Sequence, residues 1–219
     1  MSMRYAPDLT DDLTSHGRIA KLVGSDKLVL DVGCGGGFVA ERLVTQGCRV
    51  TGVDSDAVLL QRAETVCEEV ICHDLEAIDT LTLGRTFDVV VMADILEHLR
   101  GPETLLAKAQ TWLRPGGCLV ISMPNVAHIS VRIKLLIGRF DYASAGIMDR
   151  THTRFYTHRS FASLLEMEGY KISEFVPVGR FPILAKFEHN RWLRRLETAA
   201  ATGWPNGFAL QFVVRAEHS

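Results

Sequence analysis

Over the first 122 residues, short runs of apolar residues alternate with stretches whose apolar positions recur at helical spacing. The predicted strands are Leu28-Val29-Leu30-Asp31-Val32, Arg49-Val50-Thr51-Gly52-Val53, Val70-Ile71-Cys72, Phe87-Asp88-Val89-Val90-Val91-Met92 and Leu119-Val120-Ile121-Ser122. Runs this apolar leave no face for water. They therefore imply a parallel sheet covered by helices on both sides.

Between the strands, residues 9 to 23 place Leu13, Ala20 and Val23 on one side before Gly24. Phe38, Val39, Leu43 and Val44 mark a second helix ending at Gly47. A third carries Leu59, Leu60, Ala63 and Val66, with Ser55 as its candidate cap. Pro102 opens a fourth, striped by Leu105, Leu106, Ala109, Trp112 and Leu113 and stopped by Arg114-Pro115-Gly116-Gly117.

The rhythm breaks after Met123-Pro124-Asn125. Residues 126 to 157 hold no clear strand, two helical patches and a dense mixture of Arg, His and aromatics. Regularity returns with Thr157 as a candidate N-cap, a Phe161, Leu164, Leu165 stripe and Gly169 as the stop. Lys171 to Val178 reads as a sixth strand, Trp192 to Leu196 as a helical patch and Phe208 to Val214 as a seventh strand. No linker or repeat interrupts this order, so residues 1–219 read as one α/β domain with a helical lid inserted after strand five.

Composition narrows the class. The 219 residues are 47% apolar and 23% charged, ordinary globular usage that excludes disordered and fibrous chains. Twenty-four Lys and Arg against 26 Asp and Glu leave a net charge of −2, so no global field recruits nucleic acid or an anionic membrane. No apolar stretch approaches the roughly 20 residues of a spanning helix. The start, Met1 to Asp8, lacks the apolar centre of a secretory signal, and five scattered cysteines form no disulfide framework. A cytoplasmic protein is expected, with neither membrane nor nucleic acid as partner.

Gly33, Gly35 and Gly37 lie between the first strand and its helix, where glycine permits a close backbone approach and a helix start offers free N–H groups. Asp54 closes the second strand nineteen residues past Gly35, where a carboxylate can accept both hydroxyls of a ribose. A nicotinamide dinucleotide suits the bend poorly, because Phe38 stands where the fingerprint wants a small residue. Asp31 would repel a pyrophosphate but welcome an aminoacyl ammonium group. A ligand with a ribose and an amino acid, without phosphate, is favoured.

Val29-Leu30-Asp31-Val32-Gly33-Cys34-Gly35-Gly36-Gly37 resembles motif I of the class I S-adenosylmethionine-dependent methyltransferases. The resemblance continues in Gly52-Val53-Asp54, His73-Asp74-Leu75-Glu76, Phe87-Asp88-Val89-Val90, Asp94-Ile95-Leu96-Glu97-His98-Leu99 and Leu113-Arg114-Pro115-Gly116-Gly117. Pro124-Asn125-Val126-Ala127-His128 and Asp149-Arg150-Thr151-His152-Thr153-Arg154-Phe155-Tyr156 are similar to a subgroup holding the ubiquinone-type O-methyltransferases and the methionine-biosynthesis W protein. The resemblance implies a Rossmann-like sheet of seven strands, mostly parallel, with an antiparallel last strand.

It further implies that Asp31, Gly33, Cys34 and Gly35 surround the methionine part of S-adenosylmethionine, and of its product S-adenosylhomocysteine. Asp54 would take the ribose hydroxyls, with Ser55 beside the adenine. Asp74 would meet the adenine amino group near Leu75, and Ala93 and Asp94 would flank the methyl group. The implied function is methyl transfer to a small molecule, with oxygen as the expected acceptor atom. The alternative is a methyltransferase-fold accessory protein of another biosynthetic enzyme.

Transfer from a sulfonium is an in-line displacement, so the protein chiefly positions the acceptor, excludes water and takes a proton where one must leave. His98, His128 and His152 are the candidate bases, since a neutral imidazole suits that task near neutral pH. Glu97-His98 with either other histidine is not a recognised metal-ligand spacing, and no metal is expected. From 126 to 159, six Lys and Arg face two Asp, a local +4. Arg150, Arg154 and Tyr156 are therefore candidate acceptor-binding residues, with the arginines meeting an anionic group. Strand four ends Met92-Ala93-Asp94-Ile95, without the Pro-Pro-aromatic sequence of amino-group methylases, and no Pro-Cys pair serves a cytosine.

Overall fold

The structure is a computed structural model and describes residues 11–179 and 191–218. The Met1 to Asp8 reading lies outside the described residues. Seven strands form one sheet in the order β3-β2-β1-β4-β5-β7-β6. They are β1 (Leu28–Val32), β2 (Arg49–Asp54), β3 (Glu69–Cys72), β4 (Phe87–Ala93), β5 (Leu113–Pro124), β6 (Tyr170–Gly179) and β7 (Ala209–His218). β1 to β5 pair in parallel, and β7 runs antiparallel to both β5 and β6. This is the expected Rossmann-like architecture.

Side chains alternate across the sheet. Val29, Val89, Val91 and Val120 pack with α1 (Ser15–Val23), α2 (Phe38–Thr45) and α3 (Ala57–Ala63). Leu30, Val32, Val90, Met92 and Ile121 pack on the other face with α4 (Pro102–Trp112) and α6 (His158–Met167). Because period-two alternation gives both faces an apolar row, both must be covered, and a fully buried Leu, Ile or Phe contributes about 1.5–3 kcal/mol. The remaining helices are α5 (Ile129–Leu136), α7 (Arg191–Gly203) and α8 (Pro205–Phe208).

Local signals held at most boundaries. Gly24 ends α1 at φ 81°, and Thr157 caps α6 in a reciprocal box with Ser160. Several expectations fail. Asp56, not Ser55, caps α3: its backbone is extended and its Oδ1 accepts the N–H groups of Val58 and Leu59. Val44 points to solvent. Leu113 belongs to β5, which runs through Arg114-Pro115-Gly116-Gly117 because Leu113 pairs with Phe87 across a register irregularity. Phe208 sits in α8, not in β7. Among the described residues, 126–157 contain one α-helix where two patches were expected.

The chain passes from β1 outward to β2 and β3, then returns to place β4 on the other flank of β1. Strand order reverses there, leaving a crevice at the carboxyl ends of β1 and β4.

Candidate active site

The bend after β1 is shaped by its neighbours. Gly33, Gly35 and Gly37 all adopt positive φ, at 76°, 50° and 77°. The N–H groups of Gly33 and Cys34 donate to the Val53 carbonyl at 2.8 and 3.1 Å, holding the bend against the end of β2. At Gly33 an added Cβ would lie 2.6 Å from Ile95 Cδ1.

Three carboxylates mark the crevice. Asp54 Oδ2 accepts the Gly35 N–H at 2.8 Å and Oδ1 accepts the Asp56 N–H at 2.9 Å. Each oxygen keeps a further lone pair. Asp31 is 1% exposed, and neither of its oxygens has a partner. Burial, with Asp54 adding like charge, pushes its carboxyl up to about 7. An uncompensated buried carboxyl of this kind fits a cationic amino group, so the donor set suits an adenosyl amino acid.

Asp94, just past β4, is one of two described non-glycine residues with positive φ, at 53°. Such strain persists only where the surroundings fix it. Here Ser122 Oγ donates to Oδ1 and Gln211 Nε2 donates to Oδ2, both at 2.7 Å. Gln211 arrives because β7 is antiparallel, so its first residues lie opposite Pro124 at the carboxyl end of β5. His16 of α1 also feels the Asp94 charge, which partly offsets the burial that lowers its pKa. Sequence reasoning missed Ser122, Gln211 and His16, since no local pattern links them to Asp94.

Of the other cofactor candidates, Cys34 is buried, its thiol pushed up chiefly by burial and kept protonated. The Ser55 carbonyl accepts the Cys72 thiol at 3.8 Å. Asp74 is exposed and caps a 3₁₀ turn (Leu75–Thr80), accepting the Glu76 N–H at 3.0 Å, while Leu75 is buried. Ala93 pairs with Ser122 in the sheet beside Asp94.

The candidate bases separate. His128 is fully buried and caps α5, its Nδ1 within 2.7 Å of Ser130 Oγ. His152 holds its Nδ1 at 3.0 Å from the Ile147 carbonyl, which fixes Nδ1 as the donor and leaves Nε2 unprotonated. That Nε2 faces Glu97 Oε1 at 3.9 Å, and its ring packs edge-on to His98 with centroids 4.7 Å apart. Burial, then His98, hold the His152 imidazole below its ordinary range. Glu97 is buried without a hydrogen bond to its carboxyl, and burial followed by the Asp94 charge raises it well above the usual carboxylate range. Glu97, His98 and His152 bring ligand atoms within 4.8 Å of one another, a grouping that could hold a metal ion.

The inserted segment is fastened, not loose. Glu97 O accepts the N–H groups of Thr153 and Arg154, and Leu99 O accepts the Thr153 hydroxyl at 2.8 Å. Asn125 donates to Ala209 O at 2.8 Å and accepts the Ala127 N–H. Arg154 pairs with Glu103 at 2.9 Å and donates twice to the Arg100 carbonyl, so its guanidinium braces the start of α4. Arg150 is exposed and Tyr156 buried.

Residues 12–174 match the family model described as a methyltransferase domain. The chain belongs to that family. It is a class I S-adenosylmethionine-dependent methyltransferase in fold and family, with S-adenosylmethionine as cofactor. Its relatives include the ubiquinone biosynthesis O-methyltransferase of Coxiella burnetii, 27% identical over 172 residues that cover 75% of this chain and 72% of the relative. The Burkholderia thailandensis protein of the same name is 28% identical over 168 residues, 74% and 72% of the two chains.

Among solved structures, a SAM-dependent methyltransferase from Archaeoglobus fulgidus superposes with a TM-score of 0.65 at 18% identity, covering 92% and 91% of the two chains. A 1,6-didemethyltoxoflavin-N1-methyltransferase from Burkholderia thailandensis, with bound 1,6-didemethyltoxoflavin and S-adenosylhomocysteine, gives 0.62 at 18%, covering 97% and 81%. These likenesses extend to the fold of the methyltransferase. No described helix is long and apolar enough to cross a membrane.

Proposed function

We propose that this methyltransferase methylates an oxygen atom of a small-molecule acceptor. The observation that carries the cofactor half is the unpartnered Asp31 carboxyl beneath the glycine bend, with Asp54 on its other side. Bound S-adenosylmethionine supplies a sulfonium methyl electrophilic enough to need no further activation. Asp31 takes the ammonium group, and Gly33, Cys34 and Gly35 line the methionine chain. Asp54 accepts the ribose hydroxyls on its remaining lone pairs. Ser55, Asp74 and Leu75 meet the adenine. Ala93 and Asp94 border the reacting end, where Ser122 and Gln211 hold the Asp94 carboxylate still.

His152 takes the acceptor proton. Its Nδ1 is committed to Ile147 and its lowered pKa keeps Nε2 a base at neutral pH. His98 packs against it and fixes the ring, and His128 orders the entry of α5. Arg150 meets an anionic group on the acceptor, with Arg154 and Tyr156 forming the wall behind it. The oxygen preference is supported by the two O-methyltransferase relatives.

The test is incubation with methyl-labelled S-adenosylmethionine and a panel of hydroxylated, carboxylated and aminated aromatic acceptors. Label in a methyl ether or ester is the expected result. Label only on nitrogen overturns the oxygen assignment, and wild-type turnover by His152→Asn overturns the base.

A further inference from the structure

Every residue from 132 to 146 is exposed, and six of them are large apolar groups: Ile133, Leu135, Leu136, Ile137, Phe140 and Tyr142. α5, which carries Ile133, Leu135 and Leu136 and ends at the cap Ile137, faces the wrong way for an ordinary amphipathic element. Val131 alone of α5 is buried, against Ile147 and Met148. Ile133, Leu136 and Ile137, spaced i, i+3, i+4, form a stripe that would normally turn to the core, yet Leu136 is 85% and Ile137 66% exposed. Gly138, at φ 72°, then turns the chain. Beyond it Phe140 packs edge-on against Tyr142 at 5.5 Å and Phe155 at 6.0 Å.

The rim of this tip is cationic. Arg132, Lys134 and Arg139 are exposed around it. Asp141 is the one carboxylate between 132 and 146, and it is paired with Arg139 at 2.9 Å. Arg132 is held in place, its Nε donating to the Ala127 carbonyl at 2.6 Å and its guanidinium lying over the half-exposed Trp204 ring at 5.6 Å.

We infer that this tip docks the protein on an anionic lipid bilayer. Ile133, Leu136, Ile137 and Phe140 enter the boundary between headgroups and acyl chains, and Arg132, Lys134 and Arg139 meet the headgroup phosphates. Charge decides between a bilayer and a second copy of the chain. A two-fold interface on this patch would set the same three cations against themselves, with Asp141 as the only acid within 132–146 to answer them. Anionic headgroups supply the missing charge and need no matching shape.

The net −2 of the whole chain turns the rest of the surface away, so this end approaches the bilayer first. The contact is peripheral. Global charge and the lack of a spanning stretch argued against a membrane partner, but neither registers a local apolar tip with a basic rim. The inference does not depend on which acceptor atom is methylated.

Co-sedimentation of the full chain with vesicles tests it. Wild type is expected to pellet with vesicles of phosphatidylcholine mixed with phosphatidylglycerol, less at high salt, and not with phosphatidylcholine alone. Leu136→Glu/Ile137→Glu, at two solvent-facing positions, should lower the partition at least about tenfold. Lys134→Glu/Arg139→Glu should do the same without touching the apolar stripe, and thermal melts confirm that each variant is folded. Absence of wild-type pelleting, equal binding to neutral vesicles, or undiminished binding by both variants overturns the proposal. So does a wild-type dimer in sedimentation velocity that Leu136→Glu/Ile137→Glu dissociates, which would assign the tip to a second copy.

Discussion

Asp54 Oδ2 accepts the Gly35 backbone N–H at 2.8 Å, joining the end of β2 to the glycine bend across nineteen residues of chain. The same carboxylate therefore shapes the bend and is available to a ribose. Asp54→Ala removes this bond and the one from Asp56 together. Hydrogen bonds to a charged group are worth about 1.5–3 kcal/mol each, so S-adenosylhomocysteine affinity should fall at least about a hundredfold by calorimetry. Wild-type affinity would contradict the assignment.

Gly33 is the bend position least able to carry a side chain. Its φ of 76° would cost Gly33→Ala about 1–2 kcal/mol, and the new Cβ would drive Ile95 from its place. A fall of several degrees in Tm is expected. Ile95→Ala in the same chain should recover part of it by making room, while the backbone share of the loss stays.

Asp31 makes stability and binding respond to pH in opposite senses. Its folded value of about 7 lies above the ordinary 3.8, so its contribution to stability is fully present below about pH 4 and is lost as pH rises through about 7. An ammonium group beside it favours the ionised form. S-adenosylhomocysteine affinity should thus strengthen from pH 5 to 7 by up to about tenfold per unit and then level off. Asp31→Asn should flatten this profile in calorimetry and raise the apo Tm at pH 8.

The two arginines of the inserted segment should behave differently. Arg154→Ala breaks the Glu103 pair and two bonds to the Arg100 carbonyl, but the pair is half exposed, so the loss should stay near about 1 kcal/mol in a denaturant melt. Arg150→Ala should leave stability unchanged and raise the acceptor KM several-fold. Equal kinetics in Arg150→Ala and wild type would remove that residue from the acceptor site.

How much was legible follows the range of the interaction concerned. β1, β4 and β5 announced themselves because strands buried on both faces must be apolar throughout, and the glycine bend because positive φ selects glycine. The Asp56 cap was read one residue early, since Ser55 and Asp56 are both capping types and only the backbone angle distinguishes them. The β5 start was hidden by Pro115-Gly116-Gly117, a turn signature overridden by the pairing of Leu113 with Phe87.

The sequence by itself determined the parallel sheet, its covering helices and the carboxylates at the ends of β1 and β2, because these rest on residue type and short spacing. Only the tertiary structure decided that Ser122 and Gln211 converge on Asp94, that Arg154 braces α4, and that the α5 stripe faces outward. Those outcomes depend on strand order, on the direction of β7 and on which helix face finds a partner, and contacts between residues dozens to over a hundred positions apart leave no periodic trace along the chain.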